Sequence, residues 1–235
     1  MSEQHDGRRP FVGIMAKAPR PGYAKTRLTS ALAPEVAADL YRHFLLDTIE
    51  VVRRVPGVEA ALLCPSGDEA DLARLDLGLP VVEQRGQGLM HGLAFGIAHA
   101  LAEGHVAAVL INADSPTLPP ARIGDALTAL ATHDVVFGPT TDGGYYLIAA
   151  TVSCDALLLD VAYPDGTTIL RDTLVQADRL GLHTGTIAPW FDIDLPAELR
   201  DLAHALSSAP PHLAAHTRRG LDAHARVIDA IPTSG

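Results

Sequence analysis

Residues 106–120 read VAAVLINADSPTLPP. From Val106 to Ile111 the run is apolar and rich in Val, Leu and Ile. So short a run, with β-branched residues, has the pattern of a strand buried on both faces. It stops at Asn112-Ala113-Asp114, so a carboxylate falls at the carboxyl end of a central strand, where open α/β sheets bind ligands. Pro116 cannot extend a sheet and turns the chain. Pro119 and Pro120 suit the first turn of a helix, where a missing N–H has no helical partner to lose. Asp114 has two readings. It caps the following helix, a task open equally to Ser115 and Thr117, or it ligates a metal beside a phosphate-bearing ligand.

The rest of the composition narrows the classes. A chain of 235 residues has ample length for one domain with a sizeable core. Its net charge of −10 argues against an extended nucleic-acid surface, so any basic site must be local. Cys64 and Cys154 stand far apart in apolar stretches and read as buried free thiols in a reducing compartment. No apolar run approaches membrane-spanning length. Residues 1–10 lack the apolar core of a secretory signal, and the expectation is a cytoplasmic protein. His212 and His216 are spaced i,i+4 but lack the intervening Glu of a zinc-protease helix, and read as a solvated face.

The chain opens with a strand at Phe11–Met15, followed by a loop that carries Lys17, Arg20, Lys25 and Arg27 among Pro19, Pro21 and Gly22. Cations on a constrained backbone just beyond a strand suit phosphates. The loop is neither a Walker loop nor GxGxxG, and its plain alternative is a solvated basic loop. A helix follows over 34–54, with Val36, Leu40, Phe44, Ile49 and Val52 near helical period. Strands are expected at 58–64, from 81, at 134–138, at 145–149 and at 183–188, with helices over 89–103, 121–131 and 167–181. Gly86 and Gly88 precede the helix at 89, and either admit a close ligand or loosen a loop. Asp142-Gly143-Gly144 is ordinary turn chemistry, but it falls near the strand ends that carry Asp114. Asp192 and Asp194 precede a proline-initiated helix at Pro196. Asp194 is then an N-cap, or the pair supplies a metal ligand. The expected division is a flexible 1–9, one domain over 10–206, a linker at 207–211, and a C-terminal helix and tail over 212–235. Leu213, Leu221, Ile228 and Ile231 run along one side of that helix, to pack on its own domain or on a partner. A chain ending near Ser207 would then keep its domain folded.

Four motifs in this order form a pattern: Lys17-Ala18-Pro19-x-Pro21-Gly22-x-x-Lys25-Thr26-Arg27-Leu28; Asp114-Ser115-Pro116; Gly138-Pro139-x-x-Asp142-Gly143-Gly144-Tyr145-Tyr146; and Asp192-Ile193-Asp194-x-Pro196-x-x-Leu199. Together they resemble the glycosyltransferase-like bacterial transferases related to 2-phospho-lactate guanylyltransferase, within the GT-A or nucleotide-diphospho-sugar transferase superfamily. The resemblance implies an α/β, Rossmann-like GT-A fold with a mixed, mostly parallel sheet and helices on both faces. It implies Mg²⁺ or Mn²⁺ held by Asp114 and Asp194. Donor phosphates would lie on Lys25 and Arg27, within a nucleotide site of Lys17, Arg20, Gly22 and Gly88. The acceptor would border Asp142, Gly143, Gly144 and Tyr145. Lys25, Arg27 and Asp114 would be the catalytic set. Two departures stand out: Asn112-Ala113-Asp114 replaces the Asp-x-Asp of GT-A glycosyltransferases, and a Pro/Lys/Arg loop replaces the glycine-rich loop of sugar-nucleotide synthesising relatives.

The expected activity is metal-dependent transfer from a nucleotide donor. The first form is nucleotidyl transfer from a nucleoside triphosphate to a phosphorylated small molecule, with release of pyrophosphate. The alternatives are glycosyl transfer from a nucleotide sugar, and a non-catalytic nucleotide- or partner-binding protein on the same fold. No nucleic acid or membrane partner is expected. A homodimer through the C-terminal helix is.

Overall fold

The computed structural model describes residues 8–160 and 168–231. Seven strands form one sheet: β1 (Phe11–Met15), β2 (Glu59–Cys64), β3 (Val81–Glu83), β4 (Ala108–Asn112), β5 (Val135–Pro139), β6 (Tyr145–Ala150) and β7 (Thr184–Thr186). Their order is β3-β2-β1-β4-β6-β5-β7. β6 runs antiparallel to β4 and β5, and every other pairing is parallel. This is the mixed, mostly parallel sheet that the resemblance implied. The helices are α1 (Pro34–Arg53), α2 (Glu69–Ala73), α3 (Leu89–Ala102), α4 (Ala121–Ala129), α5 (Asp155–Leu158), α6 (Ile169–Arg179), α7 (Pro196–Ser208), α8 (Ala215–Ala223) and α9 (Ala225–Asp229). None is long and apolar enough to cross a membrane.

The strand pleat sends alternate residues to opposite faces, and each face carries its own core. On one face Val12, Ile14, Leu62, Val109 and Ile111 pack with Tyr41, Leu45, Ile49 and Val52 of α1 and Ile123 of α4. On the other, Phe11, Leu63, Leu110 and Ile148 pack with Leu93 and Ile97 of α3 and Ile169 of α6. A Cβ on Gly13 of β1 would lie 2.6 Å from the Leu63 and Leu110 side chains, and one on Gly96 of α3 would meet the same two at 2.5 and 2.9 Å. The two glycines leave the space those leucines fill, so α3 lies close on the sheet centre.

A third core corrects the expected division at 207–211. Leu28, Leu40 and Phe44 pack with Leu199, Leu202 and Leu206 of α7 and with Ala214, Leu221, Ile228 and Ile231 from the C-terminal segment. α7 extends to Ser208, into the expected linker. The Ala209 and Pro210 carbonyls accept from Arg218 Nη2 at 2.8 and 3.1 Å. The single final helix is two helices, α8 and α9. Asp47 of α1, only 5% exposed, accepts the N–H groups of His216 and Thr217 at 3.1 and 2.6 Å. A carboxylate thus sits on the free donors of the first turn of α8. Of the two readings of this apolar side, its own domain or a partner, the first describes Leu221, Ile228 and Ile231, which pack within the chain. Of the expected flexible 1–9, residues 1–7 lie outside the described residues, as do 161–167, including the first residue of the expected helix at 167, and the tail 232–235. Sequence reasoning also missed α5 and a 3₁₀ turn at Thr26–Ser30. Both are shorter than the window in which periodicity can be read.

Candidate active site

The chain leaves β1 toward β2 on one side, while β4 lies on the other, so the strand order reverses between β1 and β4. At such a switch point the loops beyond the two carboxyl ends diverge and leave a crevice. Here it opens into a cleft of about 940 Å³.

Lys17, Lys25 and Arg27 from the loop after β1 line this cleft, as do Asp114 beyond β4, Asp142, Gly144 and Tyr145 before and within β6, and Asp192 and Asp194 beyond β7. Arg20, Gly22, Gly88 and Gly143 do not. Arg20 is engaged elsewhere: its guanidinium bonds Asp68, and Asp71 at 2.8 Å, and covers the Tyr23 ring at 4.4 Å. Asp68 is fully buried and also accepts the Ala18 N–H at 2.8 Å. The Lys17 N–H donates to the Tyr41 hydroxyl at 2.9 Å, and burial holds that phenol well above its usual range. The loop is therefore anchored from beneath by Asp68 and Tyr41, which no loop motif announced.

Lys25 is the centre of the arrangement. Its backbone takes φ 52° and ψ 44°, a left-handed conformation uncommon for a side-chain-bearing residue. The 3₁₀ turn starts there. The side chain, 5% exposed, donates from Nζ to Asp114 Oδ2 at 2.5 Å and Asp194 Oδ1 at 2.6 Å. Arg27 reaches Asp194 Oδ2 at 2.9 Å from an exposed position. Burial alone would lower the Lys25 ammonium, but the two carboxylates outweigh it and hold it above the ordinary lysine range. Burial would likewise raise the Asp194 carboxyl, and Lys25 and Arg27 outweigh it, so that group lies below the usual carboxylate range.

The helix-cap readings of Asp114 and Asp194 give way to other partners. α4 starts at Ala121 with no side-chain cap. Ser115 Oγ donates instead to the Phe191 carbonyl at 2.9 Å, and the Ile193 N–H donates to the Asp114 carbonyl at 3.1 Å. These two bonds clamp the acidic loops together. The Glu198 carboxylate accepts the N–H groups of Asp194 and Leu195, both at 2.7 Å. It serves the start of α7 from inside the helix, which leaves the Asp194 side chain for Lys25 and Arg27. Asp142 Oδ1 accepts the Thr140 hydroxyl at 2.5 Å and the Gly144 N–H at 3.2 Å, so this carboxylate closes its own turn at the cleft edge.

Asp114, Asp192 and Asp194 can each offer one oxygen, all within 4.8 Å of one another. Asp114 Oδ1 and Asn112 Oδ1 are buried without a hydrogen-bond partner among the described residues, a state that calls for a ligand. Oxygen donors clustered with unmet acceptor capacity fit a hard divalent cation such as Mg²⁺ or Mn²⁺. Asp192 joins the expected pair because the turn beyond β7 brings all three together. Burial first, and then the Asp114 and Asp194 carboxylates, push its carboxyl up to about 7, against the pull of Lys25.

That shift has a sign. A carboxyl raised from near 4 to about 7 keeps its proton longer in the folded state, so its stabilising contribution is full below the unfolded value and fades as pH rises through 7. In chelator, Asp192→Asn is expected to be more stable than the parent at pH 8 by about 4 kcal/mol, with the advantage shrinking as pH falls through 7 and vanishing only near pH 4. Melting curves at both pH values check it, and parallel loss in both proteins would place Asp192 among ordinary carboxylates.

Residues 48–164 match the family described as "Uncharacterized protein conserved in bacteria (DUF2064)". No curated protein matches the sequence. Among solved structures, a protein from Desulfovibrio desulfuricans G20, provisionally named nucleotide-diphospho-sugar transferase, superposes with a TM-score of 0.85 at 23% identity, over 95% of this chain and 98% of that one. CMP:2-keto-3-deoxy-manno-octonic acid synthetase complexed with CTP gives 0.56 at 11% identity, over 85% and 98%. Rv0371C of Mycobacterium tuberculosis H37Rv, in complex with manganese, gives 0.51 at 18% identity, over 86% and 100%. These likenesses establish a shared α/β fold. The chain thus matches the family described as "Uncharacterized protein conserved in bacteria (DUF2064)" over residues 48–164, within a nucleotide-sugar-transferase-like α/β fold.

Proposed function

We propose that this protein is a Mg²⁺- or Mn²⁺-dependent nucleotidyltransferase that takes a nucleoside triphosphate donor and a phosphorylated small-molecule acceptor. The observation that carries this reading is the Lys25 ammonium seated between Asp114 and Asp194 at the sheet's switch point, with Lys17 and Arg27 on the same cleft. The CTP complex and the manganese complex of fold relatives support it by analogy. Asp114, Asp192 and Asp194 would hold the cation, which when bound supplies charge neutralisation at phosphate oxygens. Lys17, Lys25 and Arg27 would bind the donor's phosphates and stabilise the charge that grows on departing pyrophosphate. The Asp142 turn and Tyr145 would border the acceptor, whose phosphate oxygen attacks the α-phosphorus as pyrophosphate leaves. Positioning and electrostatics suffice for such a step without a covalent nucleophile.

Lys25→Ala and Arg27→Ala are each expected to weaken triphosphate binding more than monophosphate binding, by about 1–3 kcal/mol for the triphosphate. Calorimetric titration with both nucleotides reads the difference, and equal losses would place these cations away from the distal phosphates. The reaction itself is tested with Mg²⁺, each common triphosphate, each common nucleotide sugar and a mixed acceptor extract, with pyrophosphate and nucleoside diphosphate assayed separately. Pyrophosphate from a triphosphate is the expected result. Nucleoside diphosphate released from a nucleotide sugar, with no pyrophosphate from any triphosphate, would make the protein a glycosyltransferase instead.

A further inference from the structure

We propose that Lys25 is a built-in counter-ion: in the metal-free protein its ammonium takes the cation's place among the carboxylates, and it leaves only when a polyphosphate arrives with the metal to receive it. The inference rests on the reading that this site takes a divalent cation.

Three observations combine. Nζ lies 2.5 and 2.6 Å from one oxygen each of Asp114 and Asp194, and metal–oxygen distances for these ions are about 2.0–2.6 Å. The ammonium and a metal on those oxygens would therefore overlap. The Lys25 side chain is 5% exposed where it sits on the cleft wall, and an ammonium moved off the two carboxylates without an anion to receive it loses both ion pairs at once. Its backbone is held where it is, since Lys25 starts the 3₁₀ turn and its carbonyl accepts the Leu28 N–H at 3.0 Å. Only the flexible four-carbon stem can move.

A metal arriving alone thus meets an occupied position and leaves the ammonium without its two carboxylates. Arriving with a polyphosphate, it brings the anion onto which Lys25 can turn. Metal and polyphosphate then bind as linked ligands, each raising the affinity of the other by the same factor. Arg27, exposed and bonded to the outer oxygen of Asp194, is placed to follow onto the same anion. The protein would take the metal–polyphosphate complex as one unit, and free cation in the cell would leave the site closed.

The competing arrangement keeps Lys25 in place, with the metal on the unpartnered Asp114 Oδ1. Lys25 would then orient the carboxylates for the metal, and its removal would weaken metal binding.

The experiment compares the parent protein with Lys25→Met and Lys25→Gln, each first shown to be folded by circular dichroism. Mn²⁺ alone is titrated by its electron paramagnetic resonance signal, and the preformed Mn²⁺–tripolyphosphate complex by calorimetry. Both variants are expected to bind Mn²⁺ alone at least tenfold more tightly than the parent. The preference of the parent for the complex over Mn²⁺ alone is expected to shrink at least tenfold in both. Mn²⁺ binding that is unchanged or weaker in the variants would overturn the counter-ion role while leaving the metal site standing. Absence of both Mn²⁺ and complex binding from all three folded proteins would overturn the metal reading and this inference with it.

Discussion

Asp114→Asn is expected to remove Mn²⁺-dependent nucleotide binding while the protein stays folded. The substitution is isosteric and changes one charge. Asp114 holds its loop through its backbone, whose carbonyl accepts the Ile193 N–H at 3.1 Å, so the clamp between the acidic loops survives. What is lost is a carboxylate with one oxygen on Lys25 and the other unpartnered. An amide there is uncharged, and with its oxygen turned to the ammonium its NH2 faces the metal position, so it is a poor ligand for a hard cation. A loss of about 100-fold in metal-dependent affinity, or ~2.7 kcal/mol, is expected. Lys25 keeps Asp194, so the melting temperature should fall by only about 2–6 °C. Nucleotide titrations with and without Mn²⁺, beside a melting curve, decide it. Unchanged metal-dependent affinity would move the metal off Asp114. Asp194→Asn should show a weaker form of the same loss.

A chain ended after Ser208 is expected to lose cooperative folding altogether, against what the sequence pattern suggested. The cut removes Leu221, Ile228 and Ile231 from the third core and uncovers Leu28, Leu40 and Phe44. Each buried large aliphatic side chain contributes about 1.5–3 kcal/mol, so three lost residues approach the whole stability of an ordinary domain, about 5–15 kcal/mol. Asp47 would also lose both of its N–H partners, His216 and Thr217. Circular dichroism and urea unfolding of full-length and shortened chains test this. A shortened chain with a normal, cooperative transition would show that α8 and α9 are accessory. Because α1, α7 and the 3₁₀ turn share this core, the damage should reach the loop that carries Lys25.

The fold was legible in the sequence because its signals are local. An apolar run ending in Asn112-Ala113-Asp114 needs no distant partner to read as a buried strand, and β4 spans Ala108–Asn112. Pro34 and Pro196 mark helix starts by their own missing N–H, and α1 and α7 begin at those residues. The loop cations and the acidic pair could be named because charge near a strand end is visible in one dimension.

Their partners were not, because hydrogen bonds and ion pairs between residues far apart in the chain leave no trace in spacing. Arg20 reads in the sequence as one more cation of the phosphate loop, but its guanidinium bonds Asp68 and Asp71, some fifty positions on. Asp194 reads equally as a helix cap or a metal ligand, and only the fold shows Glu198 occupying the donors at the start of α7. The apolar side of the last segment says that it must be buried, since water will not tolerate it. It does not say against what, and a second copy and the chain's own α1 satisfy the same pattern. Local sequence therefore determined the strands, the helix starts and the types of charge at the sheet's edge. The tertiary structure alone decided which charges meet, because folding brings Lys25 Nζ within 2.6 Å of both Asp114 and Asp194, which lie 89 and 169 residues away in the chain.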